Sequence, residues 1–155
     1  MGPLQLLFFA AGMVAPAGPV TIERESWSMD NYLWNNRPVI VFAPGPAALL
    51  LAAQRTTLEP DAAPFRDRDM LLIEVIGDTV SVNGRPVHGT KTPDADALRA
   101  RYRIERETPH VVLIGKDGGV KLRAETAFSA DKLFATIDAM PMRSLEIRRQ
   151  ENRDR

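Results

Sequence analysis

Two predominantly apolar runs of strand length limit the folds open to this chain most strongly. They are Pro38 to Phe42 (PVIVF) and Met70 to Ile76 (MLLIEVI). Runs without polar alternation are typical of strands buried on both faces, which occur in parallel sheets. The intervening segment, Ala47 to Leu58, is dominated by Ala, Leu and Gln, which have high helix propensity. The pattern therefore predicts a β–α–β unit with two parallel strands.

Turn and capping residues predict the elements that follow. Residues 59–64 are interpreted as a proline-containing connection and residues 65–69 as the lead into the second strand. Asn83-Gly84, inside the alternating segment 79–87, predicts an inserted β-hairpin. Asp94 or Asp96 is expected to cap a helix that ends near residue 102.

A second hairpin and two helices are expected in the last third of the chain. Strands at 111–114 and 120–123 flank the turn Lys116-Asp117-Gly118-Gly119. Ser129 is expected to cap a helix over 130–140. Pro141 then breaks that helix or begins a further one, from 142 to about 150.

Length and charge set the class of protein. With 155 residues, of which 45% are hydrophobic and 26% charged, the chain can form one core but not two comfortable domains. Basic and acidic residues balance at 20 each, so no overall charge favours nucleic acid as a partner. We therefore expect one domain over residues 18–150, with a charged tail at 151–155.

The first seventeen residues predict a secretory signal. They carry no charged side chain, and the apolar run Leu6 to Val14 is followed by Ala15-Pro16-Ala17, a small-x-small cleavage pattern. The run is too short for an ordinary transmembrane helix, so no stable membrane insertion is expected after cleavage. A periplasmic or secreted protein is therefore expected, with the segment either cleaved or kept as a tether, and a cytoplasmic one if this segment is not a signal.

The chain contains no cysteine, which excludes disulfides, thiolate catalysis and cysteine-ligated metals for this chain. Its two histidines, His88 and His110, have no metal-binding spacing around them. No catalytic constellation, metal site or cofactor is predicted.

The order of the predicted strands and helices resembles that of thioredoxins. Residues 39–54 (VIVFAPGPAALLLAAQ) are similar to the strand, loop and helix that carry the paired cysteines there, and residues 108–123 (TPHVVLIGKDGGVKLR) to the segment that opens with a cis-proline. The resemblance implies a thioredoxin-like three-layer α/β sandwich with a central mixed sheet, an inserted β-hairpin and a C-terminal helical extension.

Four ordered blocks resemble domain-of-unknown-function family 4174 more closely. They are RPVIVFAP (37–44), FRDRDMLLIEVIGD (65–78), LIGKDGGVKLR (113–123) and IDAMPMRSLEIRR (137–149). This thioredoxin-like group of small bacterial proteins is related to modules of animal sushi-repeat secreted proteins. The resemblance implies a peroxiredoxin-like oxidoreductase, a role that a chain without cysteine cannot perform through thiols.

The thioredoxin resemblance points to a binding face made of Pro44, Gly45, Thr108 and Pro109. It implies a cis Thr108–Pro109 bond, which would present the backbone of Thr108 to an extended peptide by strand addition.

Other candidate binding residues lie outside that face. Arg66, Arg68 and Asp69 belong to an alternating charged segment that could hold a small anion through bidentate arginines, or could form an internal ion-pair network instead. Gln54 is expected on the helix that faces the loop of Pro44 and Gly45. Its side chain either contacts a ligand or packs on the face of that helix.

Two functions remain open from the sequence. The first is a non-catalytic, exported binding or interaction module for an extended peptide, a protein partner or a small anion. The alternative is a peroxiredoxin-like oxidoreductase that does not use cysteine.

Overall fold

A mixed six-stranded sheet organises the part of the chain that the computed structural model describes, residues 28–87 and 94–155. Its strands are β1 (Arg37–Ala43), β2 (Met70–Ile76), β3 (Thr79–Val82), β4 (Arg85–Pro86), β5 (His110–Ile114) and β6 (Val120–Ala124). They lie in the order β4-β3-β2-β1-β5-β6. The helices are α1 (Leu49–Thr57), α2 (Ala63–Asp67), α3 (Ala95–Tyr102), α4 (Ala130–Asp138) and α5 (Pro141–Arg153), with a short 3-10 helix at Met29–Tyr32.

The predicted β–α–β unit is confirmed. β1 and β2 are parallel, with Ile40 opposite Ile73, whereas every other neighbouring pair of strands is antiparallel. All seven residues of β1 are buried, including Arg37, and the apolar run that follows Arg37 is typical of a strand covered on both faces. β2 begins and ends at the residues that the sequence predicted.

Helices cover both faces of the sheet. Val39 and Val41 of β1 belong to one buried cluster, shared with residues of α1, α2 and α4. Ile40 and Phe42 belong to the other, shared with α3 and the 3-10 helix. Successive side chains of a strand point to opposite faces, so one strand serves both clusters. The described residues therefore form the predicted three-layer α/β sandwich.

Most of the local signals are confirmed. Asn83 and Gly84 have φ angles of 48° and 73°, as the two-residue turn between β3 and β4 requires. The side chains of Asp94 and Ser129 cap α3 and α4 through backbone N–H groups of the first turns. Pro141 begins α5, which ends at Arg153 rather than near residue 150.

The interpretation of residues 59–69 as connecting chain is wrong in part. Residues 63–67 form α2, whose only fully buried side chain is that of Phe65. Pro64 lies in the first turn, where a proline costs no helical hydrogen bond. A five-residue helix depends on tertiary burial rather than on local propensity, so its sequence carries little signal.

Among the residues described, no helix is both long enough and apolar enough to cross a bilayer. The predicted signal segment and His88 lie outside these residues.

Candidate functional site

A cleft of about 770 Å³ lies between the end of α1 and the sheet formed by β2, β3 and β4. The inserted hairpin extends the sheet on this side, and α1 is the only helix of the described ranges that contributes to the lining. A volume in this range is typical of small-molecule pockets, which measure about 300–1,000 Å³. The lining combines apolar and polar side chains: Arg55, Leu58, Pro60, Asp61, Leu72, Glu74, Ile76, Asp78, Thr79, Val80, Ser81, Asn83, Gly84, Pro86 and Val87.

A buried carboxylate lies at the floor of this cleft. Glu74 stands in the middle of β2 and is 3% exposed. Arg55 of α1 donates to it bidentately, from Nε to Oε1 at 2.6 Å and from Nη2 to Oε2 at 2.9 Å. Ser81, which lies opposite Glu74 on β3, donates to Oε2 at 3.2 Å. Arg55 and Ser81 thus satisfy both carboxylate oxygens of Glu74 within the protein.

The guanidinium of this pair reaches solvent. The side chain of Arg55 is 51% exposed, and its hydrogen bond to Glu74 raises the pKa of Arg55 above its ordinary value. The cation is therefore permanent.

The lining carries more negative than positive charge. Asp61, Glu74 and Asp78 line the cleft together with Arg55, its single basic residue within the ranges 28–87 and 94–155. Asp78 is also bound by Arg106 of the loop after α3, whereas the Asp61 carboxylate has no ion pair within residues 28–87 and 94–155. The cleft is suited to a ligand with an apolar body and a positive charge.

Sequence reasoning missed both Arg55 and Glu74. A signal existed for Glu74, because it is the single charged residue in the otherwise apolar run MLLIEVI. A charged residue inside a buried strand needs a partner. Arg55 carries no comparable signal, since an arginine near the end of a helix is ordinary.

The sequence-predicted candidates fall at opposite ends of the parallel strands. Arg68 and Asp69 precede β2, while Pro44 and Gly45 follow β1. A seven-residue strand spans about 20 Å, so the two groups cannot form one site.

Arg68 and Asp69 belong to an internal ion-pair network. Arg68 donates to Asp138 at 3.0 and 2.6 Å and to the Pro64 carbonyl at 2.9 Å, which uses all three guanidinium nitrogens. Its guanidinium also lies 4.5 Å from the ring centre of Phe134. Asp69 accepts from Lys116 at 2.7 Å. The segment was interpreted either as an anion site or as an internal ion-pair network. Arg68 and Asp69 have the geometry of the ion-pair network.

The buried end of this network was not foreseen. Arg37 is 0% exposed and donates to both carboxylate oxygens of Glu146, each at 3.1 Å, and to the Arg68 carbonyl at 3.1 Å. Lys116 also donates to Glu146, at 2.7 Å. Burial alone would raise the pKa of Glu146, but the hydrogen bonds from Arg37 and Lys116 outweigh it, so the pKa lies below its ordinary value.

Arg143 completes the network from α5. It donates to the backbone carbonyl of Asp67 at 2.8 Å and to the Asp67 carboxylate, and to Asp138 at 3.3 Å. Burial tends to raise the pKa of Asp138, but Arg68 and Arg143 together lower it. The network thus joins α2, α4 and α5.

Gln54 is fully buried and holds another loop. Its amide donates to the Phe128 carbonyl at 3.0 Å and accepts from the Phe128 N–H at 2.9 Å. It also donates to the Thr57 hydroxyl at 2.7 Å. The geometry supports the packing interpretation of Gln54.

The predicted cis bond is wrong. Phe42 and His110 are opposite each other in β1 and β5, so Pro44 and Pro109 leave the same end of the sheet. The described residues contain no cis peptide bond, so Thr108–Pro109 is trans. Trans is the isomer that an X–Pro bond prefers by about 0.5–1 kcal/mol, and the tertiary structure does not override that preference here. The peptide-binding argument at Thr108 depended on the cis geometry and loses its basis.

Within the described ranges, no three His, Asp or Glu side chains are grouped so that they could hold a metal ion. His110 is the first residue of β5, and its Nε2 lies 3.8 Å from Oε1 of Glu125.

Comparison with known proteins gives a family but no solved counterpart. No solved structure matches the chain. The likeness to thioredoxins therefore rests on the arrangement of the elements. The family described as a domain of unknown function (DUF4174) matches residues 28–146, which include β1 to β6, the cleft and the ion-pair network. The chain therefore belongs to the DUF4174 family.

Proposed function

We propose that this protein is a non-catalytic binding module that takes a small ligand into the cleft beside α1. The ligand has an apolar body and a positively charged group. The observation that carries the proposal is the open cleft beside α1, which has the buried Glu74, paired with Arg55, at its floor and the Asp61 carboxylate without an ion pair among the described residues. Apolar contacts would come from Leu58, Leu72 and Ile76, and charge recognition from Asp61.

The geometry favours binding over acid–base catalysis. Both oxygens of Glu74 accept hydrogen bonds from Arg55, and one also accepts from Ser81. Glu74 is buried and already engaged by the protein, so neither of its oxygens is free to contact a reacting group of a ligand. The pair is therefore suited to shaping a surface and to orienting a ligand.

A pair of opposite probes tests the charge and the place of binding. We expect 2-phenylethylamine to shift the backbone amide NMR signals of Ser81, Asn83 and Val87, and 3-phenylpropionate to leave them unchanged. The two probes share an aromatic body and differ in the sign of the charge. Equal shifts with both, or none with either, would contradict the proposal.

A matched pair of variants tests the role of Asp61. Because one solvent-exposed charge contributes up to about 1 kcal/mol, Asp61→Asn should weaken binding of 2-phenylethylamine by about two- to five-fold at low salt. Asp131→Asn removes the same charge from an exposed position on α4, away from the cleft. It should change the affinity by less than two-fold.

We also propose that the module is exported. The support is the uncharged segment 1–17 with its apolar run and its Ala-Pro-Ala ending. Mass spectrometry of protein from the periplasm or culture medium should find an N-terminus at Gly18. An intact Met1 in that material would contradict cleavage after Ala17.

A further inference from the structure

A second cavity lies between α2 and α5, away from the cleft beside α1. Its volume is about 710 Å³, and it is lined by Arg66, Asp67, Asp69, Arg143, Glu146, Arg149, Gln150, Asn152 and Arg153. We call it the α2–α5 groove. None of these residues lines the cleft.

Three arginines of the groove are free to meet a ligand. Arg66, Arg149 and Arg153 are exposed, and none of them forms an ion pair with an acidic side chain of the described ranges. Arg66 donates to the backbone carbonyl of Asp61 through one nitrogen, Nη1. Arg149 and Arg153 are four residues apart on α5, so they lie on one face about 6 Å from each other along the helix.

The carboxylates of the groove already form ion pairs with buried cations of the protein. Asp67 accepts from Arg143, while Asp69 accepts from Lys116. Glu146 accepts from Lys116, and also from Arg37. The acids therefore hold the protein's own buried cations, and they leave the three outer arginines uncompensated.

The groove and its network carry an excess of positive charge. The groove and its network contain seven cations (Arg37, Arg66, Arg68, Lys116, Arg143, Arg149 and Arg153) against four carboxylates (Asp67, Asp69, Asp138 and Glu146). The chain as a whole has no net charge. An anion is therefore attracted to this groove more than to the rest of the surface.

We propose that the α2–α5 groove binds a small, soluble molecule that carries several phosphate groups. A guanidinium offers two parallel N–H donors, which match the oxygens of a phosphate. Three separate guanidinium groups around one cavity favour a chain of phosphates over a single one. The segment of Arg66 was already a candidate for anion binding from the sequence, and the structure adds two arginines from α5.

Inorganic tripolyphosphate is the probe for this proposal, measured by isothermal titration calorimetry on the full chain at low ionic strength. We expect the double variant Arg149→Gln/Arg153→Gln to weaken its binding by at least ten-fold. Arg148→Gln is the matched control, because Arg148 is exposed on the same helix and does not line the groove. It should weaken binding by less than two-fold.

Amide NMR shifts establish where the probe binds and whether each variant folds. Tripolyphosphate should shift the signals of residues 66–69 and 149–153 and leave those of Ser81 and Asn83 unchanged. Orthophosphate should bind at least ten-fold more weakly. Because Arg149 and Arg153 have no side-chain partner in the described ranges, both variants should retain the dispersed spectrum of the parent protein.

Two results would overturn the proposal. The first is no binding of tripolyphosphate; if vesicles of phosphatidylglycerol bind in that case, the arginines belong to a membrane surface. The second is an equal loss in the Arg148→Gln control, which would mean unspecific attraction.

Discussion

The ion pair between Arg37 and Glu146 makes a specific prediction about stability. Glu146→Gln removes the carboxylate whose two oxygens accept hydrogen bonds from Arg37 and one of which also accepts from Lys116, while keeping nearly the same side-chain volume. Arg37 is fully buried, so its charge would remain without its main partner. The substitution therefore tests whether this network holds α5 against the sheet.

The expected loss follows from what each cation keeps. Removing one partner of a buried ion pair typically costs about 3–5 kcal/mol. Here Arg37 retains the Arg68 carbonyl and Lys116 retains Asp69, at 3.1 and 2.7 Å. We therefore expect the free energy of unfolding to fall by about 2–3 kcal/mol at pH 7, somewhat below that typical range.

The loss should depend on pH. The pKa of Glu146 is lower in the folded protein than its ordinary value. A depressed pKa contributes stability above the unfolded-state pKa, about 4.3 for glutamate, and this contribution disappears as the pH falls through the folded-state pKa. The difference between the parent protein and Glu146→Gln should therefore be constant at neutral pH and shrink below about pH 4.3.

Urea denaturation followed by far-UV circular dichroism at pH 7, 5 and 3 measures this difference. Glu151→Gln is the control, since Glu151 is exposed on the same helix and outside the network. If the two variants agree within about 0.5 kcal/mol at pH 7, the network does not stabilise the fold and the reasoning is refuted.

Three further predictions concern other parts of the molecule. Gln54→Ala should lower the free energy of unfolding by about 2–4 kcal/mol in urea titrations, because it leaves the Phe128 N–H without a partner and opens a cavity, whereas Gln150→Ala on the surface should change it by less than about 0.5 kcal/mol. Asn83→Gly should cost less stability than Asn83→Ala, since both lose the 2.8 Å hydrogen bond to the Leu72 N–H but only glycine accepts the positive φ freely; equal losses would contradict this. Insulin-reduction and peroxide-consumption assays should show no activity above a boiled control, since this chain has no thiol, and turnover free of contaminating enzyme would refute that expectation.

Local patterns predicted the elements whose causes are local. The apolar run of β2 and the Asn83-Gly84 turn both carry their signal within a few residues, and the structure confirms both. The helix α2 was missed because its stability comes from burying Phe65.

Long-range contacts explain why the candidate sites were harder to predict. Arg37 and Glu146 are 109 residues apart in sequence, and no pattern in either segment indicates that they meet. Arg55 and Glu74 are 19 residues apart, on a helix and a strand whose packing the sequence did not specify. The cis bond at Pro109 was predicted from resemblance alone, and that prediction failed.

The two outermost strands determine whether another chain can add a strand to the sheet. β4 has two residues, one of them Pro86, which has no N–H to offer to a neighbouring strand. β6 presents Lys121 and Arg123 along its length. Short edges, proline and charge all discourage edge-to-edge aggregation. The sheet is thus poorly suited to growth by an added strand.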